Sequence, residues 1–285
     1  MNEGVDYFVQ IVSADRGVLY LYVYKQLGQP QCSLATGGIV LASSPTDIFL
    51  CPAGPFWTAA GPFISARVGD ATSIWNMGPP LTVVEAVASN PDLPPLLAYD
   101  VANVYRQSVS SGGWTIESVP RGGGDDRLMA SGDGGAAGCS ASTSGFAQAR
   151  PPCLAVDSSG VYFADGQAIS RVGLDGGAVT PIVTAQPTAI AVNPAGLYWV
   201  ESGAIHRAAP DGGAGGVFWP GAPSWLAADD SGLYWTQGTA LYFGSVDGGA
   251  PRSIAAAPFQ SQELALDSTS VYWRAGPEVL VTPKP

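Results

Sequence analysis

The stretch Ala195–Gly213 reads AGLYWVESGAIHRAAPDGG. It runs from a turn through an apolar-aromatic segment, turns again at Glu-Ser-Gly, alternates through AIHRAA and stops at Pro-Asp-Gly-Gly. Close copies flank it: SGVYFADGQAISRVGLDGG at Ser159–Gly177 and SGLYWTQGTALYFGSVDGG at Ser231–Gly249. Asp-Gly and Gly-Gly supply the positive φ angles that hairpin turns need. Each copy is therefore a strand, a turn, a second strand and a tight reversal. Self-similarity at a fixed period marks a repeat architecture.

Seven segments align on the aromatic pair, and they put Leu19, Phe56, Tyr105, Tyr162, Tyr198, Tyr234 and Tyr272 in one column. The spacings are 37, 49, 57, 36, 36 and 38 residues. The short spacings fit one four-stranded unit, and the long ones fit a unit with an insertion. In the unit around Tyr198, strand a is TAIAV (Thr188–Val192), strand b is GLYWV and strand c is AIHRAA. Strand d is GVFW, matched by TPIVTA one unit earlier. Two further columns lie in strand a. Ile11, Ile48, Leu97, Leu154, Ile190, Leu226 and Leu264 are uniformly bulky. Val12, Phe49, Ala98, Ala155, Ala191, Ala227 and Ala265 are mostly Ala. Adjacent side chains point to opposite sheet faces, so one face carries knobs and the other is shallow, as stacked sheets require.

The expected fold is all-β, a β-propeller of four-stranded blades in a single domain over 1–285. Seven blades are favoured, at about 5–45, 46–90, 91–150, 151–186, 187–222, 223–260 and 261–285, with six as the alternative. The last unit reaches strand c at Glu278–Thr282 and stops. Its fourth strand is then missing or supplied by the N-terminal EGVDYF. If the first segment is only a closing strand and a hairpin, the ring has six blades.

Composition agrees. Charged residues are 12 %, while Gly (37) and Pro (24) are abundant, a balance that favours short strands and turns. The net charge of −11 with 12 scattered basic residues argues against nucleic acid, which needs clustered cations, and against an anionic membrane surface. No apolar run approaches the roughly 20 residues that span a bilayer.

The pattern LAVDSSGVYFADGQAISRVGLDGG, with LYWV, LYWT and VYWR, resembles the YWTD repeat of low-density-lipoprotein-receptor-type propellers and has the look of a bacterial member. The likeness is strongest over Cys153–Arg274 and weak before Leu96, and it implies a fold rather than an activity. That family has six blades, against seven segments here. Its Thr-Asp after Tyr-Trp is represented by Ala164-Asp165, Val200-Glu201 and Thr236-Gln237.

The four cysteines, Cys32, Cys51, Cys139 and Cys153, form neither a CxxC nor a Cys/His cluster, which argues against zinc. Two pairs close in sequence point to disulfides Cys139–Cys153 and Cys32–Cys51. They also point to an exported protein, extracellular, periplasmic or lipid-anchored at the outer surface. MNEGVDYF is not a signal peptide, so the expected leader is absent from this sequence. A Cys139–Cys153 bond closes a loop of about 15 residues and stabilises by about 3 kcal/mol in the chain-entropy account.

In a propeller the a–b and c–d turns share the bottom face, and the b–c and d–a connections share the top. The Asp-Gly-Gly turns are bottom c–d turns. Turn chemistry accounts for them without calcium, since no second oxygen cluster adjoins them. The long connections, Lys25–Gln31, Gly78–Pro95 and Ser131–Pro152, all fall on the top, where loops on a rigid scaffold carry function. The first residues of strand a ring the top of the channel: Gln10, Asp47, Leu96, Cys153, Ala189, Trp225 and Glu263. Of these, Gln10, Asp47, Trp225 and Glu263 are the candidate binding residues.

No catalytic residue stands out. His206 is the only histidine and lies in strand c, away from the channel. No GxSxG elbow or phosphate-cradling loop before a helix is present, and RGGGDD (Arg121–Asp126) is a hairpin. The expected function is recognition without catalysis: a protein or glycan bound through the top face, by a monomer or a component of a surface assembly, with no cofactor. The alternative is a channel-site lyase or lactonase-like hydrolase holding a divalent metal on Asp47 and Glu263.

Overall fold

A computed structural model of the chain describes the strand backbone between residues 7 and 97. From residue 98 onward it also describes side chains, apart from those of 110, 262, 278 and 279 and the whole of 111, 122–124, 134–152, 214, 267 and 277. Among the described residues, 27 strands form seven antiparallel sheets. The first is β1–β4 (Tyr7–Asp15, Val18–Lys25, Cys32–Thr36, Ile39–Ser43) and the second β5–β8 (Trp57–Ala60, Phe63–Val68, Ala71–Asn76, Thr82–Val87). The third is β9–β12 (Leu96–Tyr99, Asn103–Ser110, Gly113–Pro120, Arg127–Gly132) and the fourth β13–β16 (Leu154–Asp157, Gly160–Ala164, Ala168–Val172, Thr180–Thr184). The fifth is β17–β20 (Ala189–Asn193, Gly196–Glu201, Ala204–Ala208, Gly216–Pro220) and the sixth β21–β24 (Trp225–Asp229, Gly232–Gln237, Ala240–Ser245, Arg252–Ala256). The last has three strands, β25–β27 (Ser261–Leu266, Ser270–Ala275, Glu278–Pro283). Each sheet's first strand lies beside the first strand of the next sheet, and β25 lies beside β1. The chain is a β-propeller.

The two columns of strand a pack as their sizes dictate. Ile190 and Trp199 bury with Leu154 and Phe163 of the preceding sheet. Ala191 and Tyr198, on the opposite face, bury with Leu226 and Trp235 of the following one. Leu226, Tyr234 and Trp235 are fully buried, each such apolar side chain contributing about 1.5–3 kcal/mol of transfer free energy. The next interface repeats the arrangement with Leu264 and Trp273 against Tyr234.

The a–b turn closes on an Asp or Asn. Asp157 Oδ1 accepts from the backbone N–H of Ser159 (2.7 Å) and Gly160 (3.2 Å). Asn193 and Asp229 repeat the bonds, the turn these residues favour because the side chain mimics a backbone acceptor. Gly160 has φ +154°, and a Cβ there would lie 2.3 Å from the Val172 carbonyl oxygen. No larger residue fits so close an approach.

Two expectations need correction. In the first sheet the turn falls one residue later than the alignment gave. Asp15 pairs Val18, and a bulge sits between Ile11 and Ser13. Tyr20, opposite Ser13, therefore takes the place of Tyr198, and Leu19 does not. In the second sheet Phe56-Trp57 resembles the strand-b aromatic pair, yet Trp57 begins the innermost strand. β5 is the edge strand that adjoins β1 and β9, and its register closes at Ala60 and Phe63 around Gly61-Pro62. The expected connection Gly78–Pro95 consequently contains β8, the fourth strand of that sheet. The sequence before strand a in this sheet is 44–56, still a d–a connection.

Candidate functional site

The candidate site residues divide sharply. Asp47 lies outside the described residues, as do Cys51 and Cys139. Gln10 pairs Tyr22 in β1 and Cys32 begins β3 rather than lying mid-strand; the side chains of both fall outside the description. Trp225 begins β21, half-buried against the cluster of Tyr234, Leu241 and Leu264. Glu263 is third in its strand rather than first, because β25 starts at Ser261 and carries a bulge between Gln262 and Leu264. Its carboxylate is 3 % exposed and accepts from Arg274 Nη2 at 3.0 Å. A rim carboxylate waiting for a ligand it is not, since its charge is already matched and enclosed. A metal on Glu263 would have to displace that guanidinium. Among the described residues no group of three or more His, Cys, Asp or Glu is placed to hold a metal.

Trp225 and Glu263 nevertheless share one neighbourhood, where the sixth and seventh sheets meet at the top. The sequence reading missed a third member, Phe259. It sits in the connection between β24 and β25 and is 44 % exposed. Gly276, in the following b–c turn, lies directly beneath it: a Cβ at Gly276 would come within 2.8 Å of Phe259 Cβ. Gly276 N donates to the Gln260 carbonyl (3.1 Å), and Arg274 Nη1 donates to the Gly276 carbonyl (3.2 Å). The aromatic ring is thus carried on a turn tied down by the same arginine that neutralises Glu263. The signal was available. The equivalent connections read AQPT, GAPS and APFQ, with Phe259 standing where Pro187 and Pro223 stand.

The other polar groups of this face are engaged within the fold. Gln107 Nε2 donates to the Ala164 carbonyl of the next sheet (2.7 Å). Asp165, the residue aligned with the YWTD aspartate, accepts from Gln167 N, Ala168 N and Ser170 Oγ. Glu201 accepts from Gln186 N (2.7 Å), and Gln237 accepts from Trp219 Nε1 (2.8 Å). One aligned column therefore performs three different structural tasks. His206 stacks on Trp199 with ring centroids 5.4 Å apart.

On the bottom face the strand-b tyrosine does more than pack. The Tyr105 hydroxyl donates to Asp100 Oδ2 at 2.7 Å; Tyr162 reaches both Asp157 Oδ2 (3.3 Å) and the Pro210 carbonyl of the next sheet (3.1 Å). Burial and the bond to Asp100 push the Tyr105 phenol up to about 12. Burial works to raise Asp100, but the bonds from Tyr105, Asn103 and Ala102 and the charge of Arg121 outweigh it and hold the carboxyl low. Arg171 and Arg207, the arginines of the Ile-x-Arg strand, lie over the Tyr162 and Tyr198 rings. A cavity of about 520 Å³ opens beside the last Asp-Gly-Gly turn, among Asp230, Phe243, Asp247 and Arg252.

Cys153 immediately precedes β13, is buried and is disulfide-bonded. The expected partner, Cys139, belongs to the segment outside the description.

No protein-family model and no curated protein matches the sequence. Solved structures do. YCF48 from Cyanidioschyzon merolae is 12 % identical over 100 % of this chain and 97 % of its own, with TM-score 0.58, and YCF48 bound to a D1 peptide gives 13 %, 100 %, 98 % and 0.55. The structure of a nidogen/laminin complex is 18 % identical over 78 % and 88 %, TM-score 0.52. Virginiamycin B lyase from Staphylococcus aureus is 13 % identical over 78 % and 80 %, TM-score 0.53. At these identities the shared property is the fold. The chain is a member of the β-propeller class.

Proposed function

We propose that the chain is a non-catalytic, exported recognition propeller, a single domain of seven blades related to the YWTD type, and that it binds a protein through its top face. The observation that carries this reading is Phe259. A large exposed aromatic on a tied turn, beside half-buried Trp225 and a neutralised Glu263–Arg274 pair, has the composition of a binding hot spot: aromatic and Arg anchors with little free charge. The YCF48–D1 peptide and nidogen/laminin structures support it as propellers seen with polypeptide partners. Export rests on the disulfide at Cys153.

The test uses the purified chain as bait against extracellular and envelope fractions of its source, with quantitative mass spectrometry. Three baits are compared: wild type, Phe259→Asp on the top and Asp247→Ala on the bottom. A partner retained by wild type and D247A and reduced at least tenfold by F259D supports the proposal. Equal retention by all three overturns it.

A further inference from the structure

The seventh sheet has three strands among the described residues, whereas the other six have four. Its outermost strand, β27, follows the same register as the third strands of the complete sheets. Glu278, Val279, Leu280 and Val281 pair Ala275, Arg274, Trp273 and Tyr272, as Ala204–Arg207 pair Glu201, Val200, Trp199 and Tyr198. In the complete sheets this quartet carries a fourth strand in one fixed pattern. Ala204, Ile205, His206 and Arg207 pair Pro220, Trp219, Val217 and Gly216, with Phe218 bulged. Ala240–Phe243 pair Ala256, Ala255, Ser253 and Arg252, with Ile254 bulged. Ala168–Arg171 repeat it with Ile182 bulged. In all three cases the third and fourth residues of the added strand are half-buried and the rest exposed.

Val281 shows what that strand normally covers. Its counterpart Phe243 is 8 % exposed beneath β24, while Val281 is 58 % exposed. An unpaired edge with an exposed β-branched side chain is a template for another strand. Residues before β1 are directed elsewhere over at least three positions. Gln10 pairs Tyr22 as Ala189 pairs Val200, yet Tyr7, Phe8 and Val9 continue pairing with β2. At the matching positions in the fifth sheet, 186–188, the chain has already left the strand to form its connection.

We infer that β27 is a strand-addition site, and that its occupant is an extended segment of a protein partner. This segment lies antiparallel to Glu278–Val281 with the pattern x-x-Φ-Φ-x, where Φ is an apolar residue and the first Φ is bulged. The site lies on the outer edge of the ring and stands independently of the top-face reading.

The probe is a synthetic peptide with the chain's own fourth-strand sequence, PRSIAAA (residues 251–257), added to the full chain and followed by hydrogen exchange. Exchange of the β27 amides slows at least tenfold with peptide, and the effect is lost with the same peptide carrying Pro in place of its Ile. That outcome supports the inference. Three outcomes overturn it: no change with saturating peptide; β27 amides already protected in the free chain but deprotected on deleting residues 1–6, which means that the chain fills its own edge; or protection that disappears on dilution to monomer, which means that a second copy fills it. F259D leaves the peptide result unchanged, so failure here and failure of the top-face reading are separable.

Discussion

The sheet β17–β20 and the sheet β25–β27 share one register through three strands and part company at the fourth. In the fifth sheet the chain passes from β19 into Pro210-Asp-Gly-Gly, whose Pro210 carbonyl accepts the Tyr162 hydroxyl of the preceding sheet. In the last sheet Lys284 stands at the position of Pro210. Its ammonium bonds Asp229 and lies over the Tyr234 ring of the preceding sheet, while its backbone N–H donates to the Thr269 carbonyl. A turn carbonyl has been replaced by a charged side chain at the same joint. The contact between neighbouring blades is therefore a property of the position, met by whichever group the local sequence supplies.

The comparison is broken most severely by removing a knob from the regular part. Leu226 is fully buried against Ala191 and Trp235. Leu226→Ala is expected to cost about 2–5 kcal/mol, read by urea unfolding, while Val281→Ala at the open edge stays within about 0.5 kcal/mol. Equal costs would mean that the last sheet is as enclosed as the fifth.

Lys284→Met comes next. It leaves the Asp229 carboxylate half-buried without its cation, at an expected cost of about 1–3 kcal/mol. Burial works to raise Asp229, but the bonds from Lys284 and Ser231 prevail and hold it below its ordinary value of 3.8. A depressed folded pKa contributes stability that is present above the unfolded value and lost as pH falls through the folded one. The gap between wild type and K284M is thus full at neutral pH and closes below about pH 4. A gap that persists at pH 3 removes the ion pair from the explanation.

Tyr105→Phe has a smaller effect, about 1–2 kcal/mol for a hydroxyl bonded to a carboxylate. Its signature is alkaline. A phenol raised to about 12 in the folded chain contributes stability that is complete below the unfolded value of about 10 and lost as pH rises through the folded value. Wild type and Y105F should converge in stability as pH climbs past 11 to 12, followed by circular dichroism. The smallest effect expected is that of Arg207→Gln, about 0.5–1 kcal/mol for an arginine over an aromatic face, checked by thermal unfolding.

Much of the propeller was legible because its constraints repeat. The Ile190 and Ala191 columns recur wherever one sheet stacks on another, and Gly-Gly recurs wherever the chain reverses. The aspartate and tyrosine five residues apart, Asp100 and Tyr105 or Asp157 and Tyr162, were legible too, but the aromatic ring drew attention away from its hydroxyl. The second sheet misled because Phe56-Trp57 copies the strand-b pair while Gly61-Pro62 sets the turn one strand later. Glu263 misled because a carboxylate at a strand start looks free until Arg274, on the neighbouring strand, is seen to face it. Phe259 lay in a segment with no repeated pattern of its own, and only comparison with Pro187 and Pro223 marks it out.

The central claim is that the top connections of the sixth and seventh blades form the recognition face. Hydrogen exchange on the full chain, alone and saturated with the captured partner, tests it most directly. The account predicts slowed exchange at 257–261 and 274–276, with the bottom turns at 210–213 and 246–249 unchanged. Slowed exchange confined to those bottom turns would contradict it.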